Sequence, residues 1–309
     1  MQPTLHLIDA SLYVFRAWHS MPPQFSDRDG APVNAVHGFA RFLCDFLERA
    51  RPTHVLAAFD ESLTSSFRNG IYPAYKANRE MPPTELLVQF AYCKRIAAAL
   101  GLCVLSDAHY EADDLIGSAV VRVRGEGFRT VIISADKDFG QMIGDHDEQW
   151  DFAKNERWDA AGVKRRIGVR PDQVADFLAL TGDAIDNIPG VPGIGAKTAA
   201  MLLAHFDSLQ ALLERVEELP YLRMRSAGQT YVRLKEHREQ ALMSRLLSGI
   251  ALDAPVPDHS DKLRWGQPDL GAIDSLSDQL KFGPLTRSRF RNLRAESAAP
   301  ASAGTVEVA

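Results

Sequence analysis

Cysteine is scarce in this chain. Only Cys44, Cys93 and Cys103 occur among 309 residues, and no two have C-x-x-C spacing. That tells against a disulfide framework or a cysteine-rich zinc site and makes a reducing cytoplasm the default setting. No apolar run approaches the ~18–20 residues needed to span a bilayer. The opening MQPTLHLIDAS lacks a basic region followed by a long apolar stretch, so no secretory leader is expected. A basic excess is also missing: the net charge is −5, which at whole-chain level argues against a nucleic-acid partner. No histidine cluster, no Ser/His/Asp arrangement and no internal repeat stands out. What remains is an ordinary globular composition, 46% hydrophobic and 24% charged, in a chain long enough for one large or two modest domains. Charge is locally ordered within it: acids gather in YEADD and ADKD, bases in FRNGIYPAYKANR and RMRSAGQTYVRLKEHR.

Apolar runs at 5–9, 54–60, 102–106 and 129–134 read as strands, and segments 32–50, 84–100 and 111–127 as helices. Alternation of this kind predicts an α/β fold, a mainly parallel sheet with helices on both faces. After residue 155 the pattern turns wholly helical, with helices expected at 158–167, 171–181, 195–206, 208–219 and 229–249. The expected division is an α/β core over 1–155, a helical module over 156–294, and a small-residue, polar tail, AESAAPASAGTVEVA (295–309), expected to be disordered.

Nine acids carry the chemistry: Asp9, Asp60, Glu111, Asp113, Asp114, Asp136, Asp138, Asp183 and Asp186. Asp9 and Asp60 end apolar strands, Asp136 and Asp138 follow RTVIISA, and Glu111, Asp113 and Asp114 open a helix after a strand. In open parallel sheets sites form beyond the strands' carboxyl ends, so these acids are expected to share one rim. Two like charges 4 Å apart repel by about 4 kcal/mol at an effective dielectric of ~20. Divalent cations would offset that, and Mg²⁺ and Mn²⁺ prefer oxygen ligands. Paired ions would then clamp a phosphodiester. Any one such Asp could instead be a turn or cap residue, but so many strand-end acids in one chain favour a metal site.

LTGDAIDNIPGVPGIGAKTAAMLL (180–203) places a glycine turn between two helices. Gly190, Gly193 and Gly195 permit close backbone approach, and the helix that begins near Lys197 and Thr198 offers free N–H groups to a phosphate. This is the layout of a helix–hairpin–helix that grips a duplex backbone without reading bases; the plainer alternative is an ordinary helix–helix turn. In SFRNGIYPAYKANR (66–79), Arg68, Lys76 and Arg79 interleave with Phe67, Tyr72 and Tyr75. That suits a single strand by stacking and phosphate contact, although composition alone slightly favours a solvated loop with two buried tyrosines. Arg16 could clamp a phosphate or be a plain surface arginine.

LIDASLYVFRAWHSMPP, AAFDESLTSSFRNGIYPAYKANR, YEADDLIGSAV, ISADKDFGQMI and LTGDAIDNIPGVPGIGAKTA together resemble the bacterial 5′–3′ exonuclease and flap endonuclease family, which includes the N-terminal nuclease domain of bacterial DNA polymerase I. They occur in the family's order over roughly residues 5–250, and the absence of a polymerase segment gives the look of its free-standing members. The resemblance implies a PIN-like core with a helical arch and a helix–hairpin–helix of the three-turn type. It implies two or more Mg²⁺ ions, with Mn²⁺ able to substitute. Asp9, Asp60, Glu111, Asp113, Asp114 and Asp136 would then serve the first metal site, and Asp138, Asp183 and Asp186 the second. Lys76 and Arg79, assisted by Arg16, would contact the scissile phosphate, while Arg68, Tyr75 and the hairpin's Gly190, Gly193, Gly195, Lys197 and Thr198 would bind DNA. A K⁺ ion held by hairpin carbonyls is a further implication. The expected substrate is DNA with a 5′ flap, 5′ overhang or gap, processed by a cytoplasmic monomer during primer removal and repair. A DNA-structure-binding protein with little catalysis and a PIN-type ribonuclease are the competing readings. Ala10 and Phe15 depart from the family's usual Gly and Tyr.

Overall fold

The computed structural model describes residues 2–61 and 66–293; the tail expected over 295–309 lies outside them. Six strands form one sheet: β1 (Thr4–Asp9), β2 (His54–Asp60), β3 (Cys103–Asp107), β4 (Arg129–Ile133), β5 (Glu148–Asp151) and β6 (Glu156–Trp158). Their order is β3-β2-β1-β4-β5-β6, parallel throughout except for β6, which pairs antiparallel with β5. The central strands are apolar on both faces because both are covered. Along β1, Leu5 and Leu7 enter one core and Ile8 the other; along β2, Leu56 and Ala58 enter the first, and Val55, Ala57 and Phe59 the second.

The helices of the first half are α1 (Ala10–Ser20), α2 (Asn34–Ala50), α3 (Phe67–Ile71), α4 (Thr84–Ala99) and α5 (Ala112–Arg124). From β1 the chain passes outward to β2 and β3, and α5 then returns it to β4 on β1's other side. The crevice at this change of direction opens at the carboxyl ends of β1 and β4, where ligands bind in such sheets. The basic segment 66–79 is the five-residue α3 followed by turns.

The second half holds α6 (Ala160–Ile167), α7 (Val174–Thr181), α8 (Ala196–Phe206), α9 (Leu209–Glu214), α10 (Ala227–Glu236), α11 (Arg238–Ser248), α12 (Leu270–Gln279) and α13 (Pro284–Asn292). The continuous helix expected over 229–249 is broken at His237, whose φ −109°, ψ 25° is not helical. Residues 208–219 split into α9 and a 3₁₀ turn, Val216–Tyr221, that accommodates Pro220. The sheet reaches Trp158, past the division expected at 155. Residues 260–293, expected in the helical module, pack instead on the α/β core: Trp265, Leu280, Phe282 and Phe290 share a cluster with Phe39, Phe46 and Ile96. Trp265 Nε1 donates to Leu100 O at 2.8 Å.

Candidate active site

Strand ends deliver the first acids. Asp9 closes β1 and caps α1, accepting from Leu12 N at 3.3 Å and from Ser134 Oγ at 2.8 Å. Ser134 also accepts from Asp136 N at 3.1 Å, so one hydroxyl ties the ends of β1 and β4 together. Asp60 ends β2 and accepts from Ala112 N at 2.9 Å. Asp136 caps a 3₁₀ turn, Lys137–Met142, by accepting from Asp138 N at 3.0 Å. Glu111 caps α5, and Glu111, Asp113 and Asp114 each present an oxygen within 4.8 Å of the others.

The electrostatics are those of crowded, buried carboxylates. Burial, with Asp60 and Asp136 close by, pushes Asp9 up to about 7. Burial and the Asp136 charge push Asp138 up to about 8, and its Oδ1 is buried without a hydrogen-bond partner. Asp136 is raised by burial and by Asp186. Asp113 is driven well above the usual carboxylate range by burial, which overrides the pull of Arg68. Glu111 goes the other way: burial opposes ionisation, but Lys76 and Arg68 outweigh it. For Asp183 the opposing burial is outweighed by Lys137, which donates to its Oδ2.

The basic segment lies folded onto these acids. Lys76 Nζ bonds Glu111, Arg79 bonds Asp186, and Tyr75 OH donates to Glu111 Oε2 at 2.9 Å. Lys76 holds a left-handed φ of 55°, with its backbone N–H on Asp186 O at 2.9 Å. Asn78 Nδ2 donates to Ala184 O at 2.8 Å and Asn187 Nδ2 to Ala74 O at 2.6 Å. Residues 74–79 are thus laced to the turn that carries Asp183 and Asp186.

Two expectations need correction. Arg68 cannot meet DNA: its side chain is 1% exposed and its guanidinium bonds Asp114 twice at 2.7 Å and Glu111 at 2.8 Å. Tyr75, at 3% exposed, packs with Ile188 and Leu247 and offers no stacking face; the segment buries this tyrosine as the composition alone favoured. Asp114 is fully buried, and its oxygens accept from Arg68, Glu111 N and Ala251 N, which fixes it beside Glu111 and Asp113 at the start of α5. Arg16 pairs through Nη1 with the buried Asp151 at 3.1 Å beside Tyr13 and keeps a third of its side chain exposed. Sequence reasoning missed Ser134 and Lys137. Both lie inside the quoted ISADKD motif, where attention to non-acidic hydrogen-bonding residues would have found them.

Downstream, the turn between α7 and α8 is closely built. Gly190 has φ +61°, and a Cβ there would lie 2.2 Å from Gly182 N, so no side chain fits. Gly193, at φ +75°, faces the Arg233 guanidinium, which donates to its carbonyl at 3.0 Å. Gly195 is the N-cap of α8 and faces open space, with Lys197 exposed and Thr198 half-buried in the first turn. The helix start therefore presents unpaired N–H groups outward.

Residues 4–168 match the family described as 5′–3′ exonuclease, N-terminal resolvase-like domain, and residues 169–271 its C-terminal SAM fold. The chain is 35% identical over 299 residues to DNA polymerase I of Mycobacterium tuberculosis and 38% over 283 residues to that of Pseudomonas aeruginosa. These alignments cover 95% and 91% of this chain but 32% and 31% of those polymerases, so the chain spans about a third of their length. Among solved structures, zinc-bound T5 5′-exonuclease superposes with a TM-score of 0.64 at 17% identity, covering 94% of this chain and 98% of that one. The catalytic core of Rad2 in complex with DNA substrate gives 0.62 at 15%, covering 94% and 92%. The shared fold is a mostly parallel PIN-like sheet with a helical SAM-type domain.

Proposed function

The chain belongs to the 5′–3′ exonuclease and flap endonuclease family, and from that premise we propose that it hydrolyses DNA phosphodiesters near single-strand/duplex junctions at the acid cluster. The observation that carries the reading is the basin at the carboxyl end of the sheet. Asp9, Asp113, Asp136 and Asp138 there are all held above the ordinary carboxylate range, with Lys76 and Arg79 laid over it. Such a basin demands positive charge.

Divalent ions, Mg²⁺ with Mn²⁺ as substitute, fit that demand. The donors are all hard oxygens, and Asp138 Oδ1 is buried with no hydrogen bond and only the Lys137 ammonium, 3.9 Å away, for a counter-charge. Asp9, Asp60, Glu111, Asp113 and Asp136 would hold one group of ions and Asp138, Asp183 and Asp186 another. Such ions supply charge neutralisation at the phosphate and acidify water. A K⁺ ion at the hairpin would draw on carbonyls such as those of Ile188, Gly190, Val191 and Gly193, which each accept one hydrogen bond within the chain and keep a second lone pair.

The chain's own groups do the rest. The N–H groups around Gly195 and the Lys197 ammonium grip a duplex phosphate. The unpaired 5′ strand reaches the basin, where Lys76 and Arg79 exchange carboxylate for phosphate and neutralise charge that develops on it. Tyr75 keeps Glu111 oriented while Lys76 moves. Arg16, on α1 and one third exposed, would assist Lys76 and Arg79 at the phosphate. The form we envisage is a cytoplasmic monomer acting on flaps, overhangs or gaps in primer processing and repair, with the sheet, its helices and the returning residues 260–293 as catalytic core and the helices between Ala160 and Ser248 as DNA-binding module. No helix among the described residues is long and apolar enough to cross a membrane.

A 5′-labelled flap incubated with and without Mg²⁺ or Mn²⁺ tests the proposal. We expect metal-dependent cleavage at the junction, abolished in Asp136→Asn while flap binding persists in Ca²⁺. Binding without cutting in either metal would leave a DNA-structure-binding protein. Preferential cutting of an RNA flap would make it a PIN-type ribonuclease.

A further inference from the structure

α11 touches both halves of the proposed machinery. Near its start, Gln240 Nε2 donates to Gly190 O in the hairpin turn at 2.6 Å. At its other end, Arg68 Nε donates to Leu247 O at 2.9 Å and Nη2 to Gly249 O at 2.8 Å, closing carbonyls that a helix end leaves open. The same guanidinium holds Glu111 and Asp114, and Asp114 in turn accepts from Ala251 N at 2.7 Å. Gln141 adds two more ties, to Ser248 O and from Ile250 N. Between the ends, Leu247 and Met243 pack against Ile188 of the hairpin lead-in and against Tyr72 and Tyr75 of the basic segment. Eleven helical residues span about 16 Å at ~1.5 Å each, and a hydrogen-bonded helix does not compress over that length.

We infer that α11 is a strut that transmits duplex docking at the hairpin to the Glu111–Lys76 side of the basin, with Gln240 and Arg68 as positioning residues at its two ends. Neither meets substrate. Gln240 fixes the hairpin backbone to the helix, and Arg68 fixes the helix terminus to the carboxylate that Lys76 and Tyr75 share. A duplex seated on the hairpin therefore stiffens the far end of α11 and, through Arg68, the orientation of Glu111. The inference rests on the duplex-anchoring role proposed above.

Hydrogen exchange with a blunt duplex in the presence of chelator tests it without cleavage. In the unmodified chain we expect exchange to slow at 188–200 and also at 244–251 and 66–72. In Gln240→Ala the slowing at 188–200 persists while that at the two distant segments falls by more than half. In parallel, the single-turnover rate of Gln240→Ala on a saturating flap should fall by about tenfold with duplex affinity nearly unchanged. Arg68→Lys, which keeps the charge but loses the fork, should show the same split. Slowing confined to 188–200 in the unmodified chain, or distant slowing that survives in Gln240→Ala, overturns the strut. A loss expressed only in affinity overturns it too. No slowing at 188–200 removes the anchor itself and with it this inference.

Discussion

Arg68 shows how little a residue's type reveals about its task. Flanked by aromatics in a basic stretch, it reads as a phosphate contact, yet the fold buries its charge among Glu111, Asp113 and Asp114. Removing one partner of such a buried set leaves charges uncompensated, so Arg68→Met should lose roughly 3–5 kcal/mol of unfolding free energy in urea. A loss under 1 kcal/mol would mean the guanidinium is not buried as described. Asp138 makes a contrasting case. Its folded pKa, about 8, lies above the ordinary 3.8, so the folded state holds a proton that the unfolded state has released. That contribution is full below about pH 4 and is lost as pH rises through 8. The metal-free chain should therefore melt at falling temperature between pH 5 and pH 8, and Asp138→Asn should flatten that decline. An unchanged slope in the variant would take Asp138 out of the account.

At the scale of elements, the hairpin and α11 divide the labour between shape and stiffness. Gly190 is structural: any Cβ there collides with the Gly182 backbone, so Gly190→Ala should destabilise the fold measurably in thermal melts. Gly195 is different, because a Cβ there meets nothing within 4 Å and its φ of −95° suits any residue. We expect Gly195→Ala to leave the melting temperature nearly unchanged and to weaken duplex binding, with a shallower salt dependence, since the added methyl occupies the space a phosphate would enter. Equal affinity and salt slope in the two proteins would place the duplex elsewhere.

Across the whole molecule, the last described helices belong to the core that the first residues build. Residues 260–293 cross back to cover α2 and α4, burying Trp265, Leu280, Phe282, Phe290 and Leu293. A chain ending at residue 258 should expose the faces of α2 and α4, bind hydrophobic dye and lose its cooperative melt. A sharp unfolding transition in that truncation would show that α12 and α13 are dispensable. The global charge of −5 likewise says little about DNA. Acids gather in the basin, where Lys76 and Arg79 answer two of them, so a whole-chain sum says nothing about the charge of any one surface.

The sequence by itself determined the parallel sheet, because strands covered on both faces must be apolar along their length, as in LHLID, HVLAAFD and RTVIIS. It also determined that acids follow those strands, and parallel pairing then leaves Asp9, Asp60 and Asp136 at one edge. The glycine turn was legible for a similar reason, since a close backbone approach admits no side chain and leaves its mark in composition. Long-range pairing was not legible. Only the tertiary structure decided that Arg68 and Tyr75 turn inward to Glu111, that Arg16 is engaged by Asp151, that the helix over 229–249 breaks at His237, and that residues 260–293 return to the core. A charged side chain's local pattern is the same whether it meets water or a buried carboxylate, and the partner that decides lies 43 to 135 residues away along the chain.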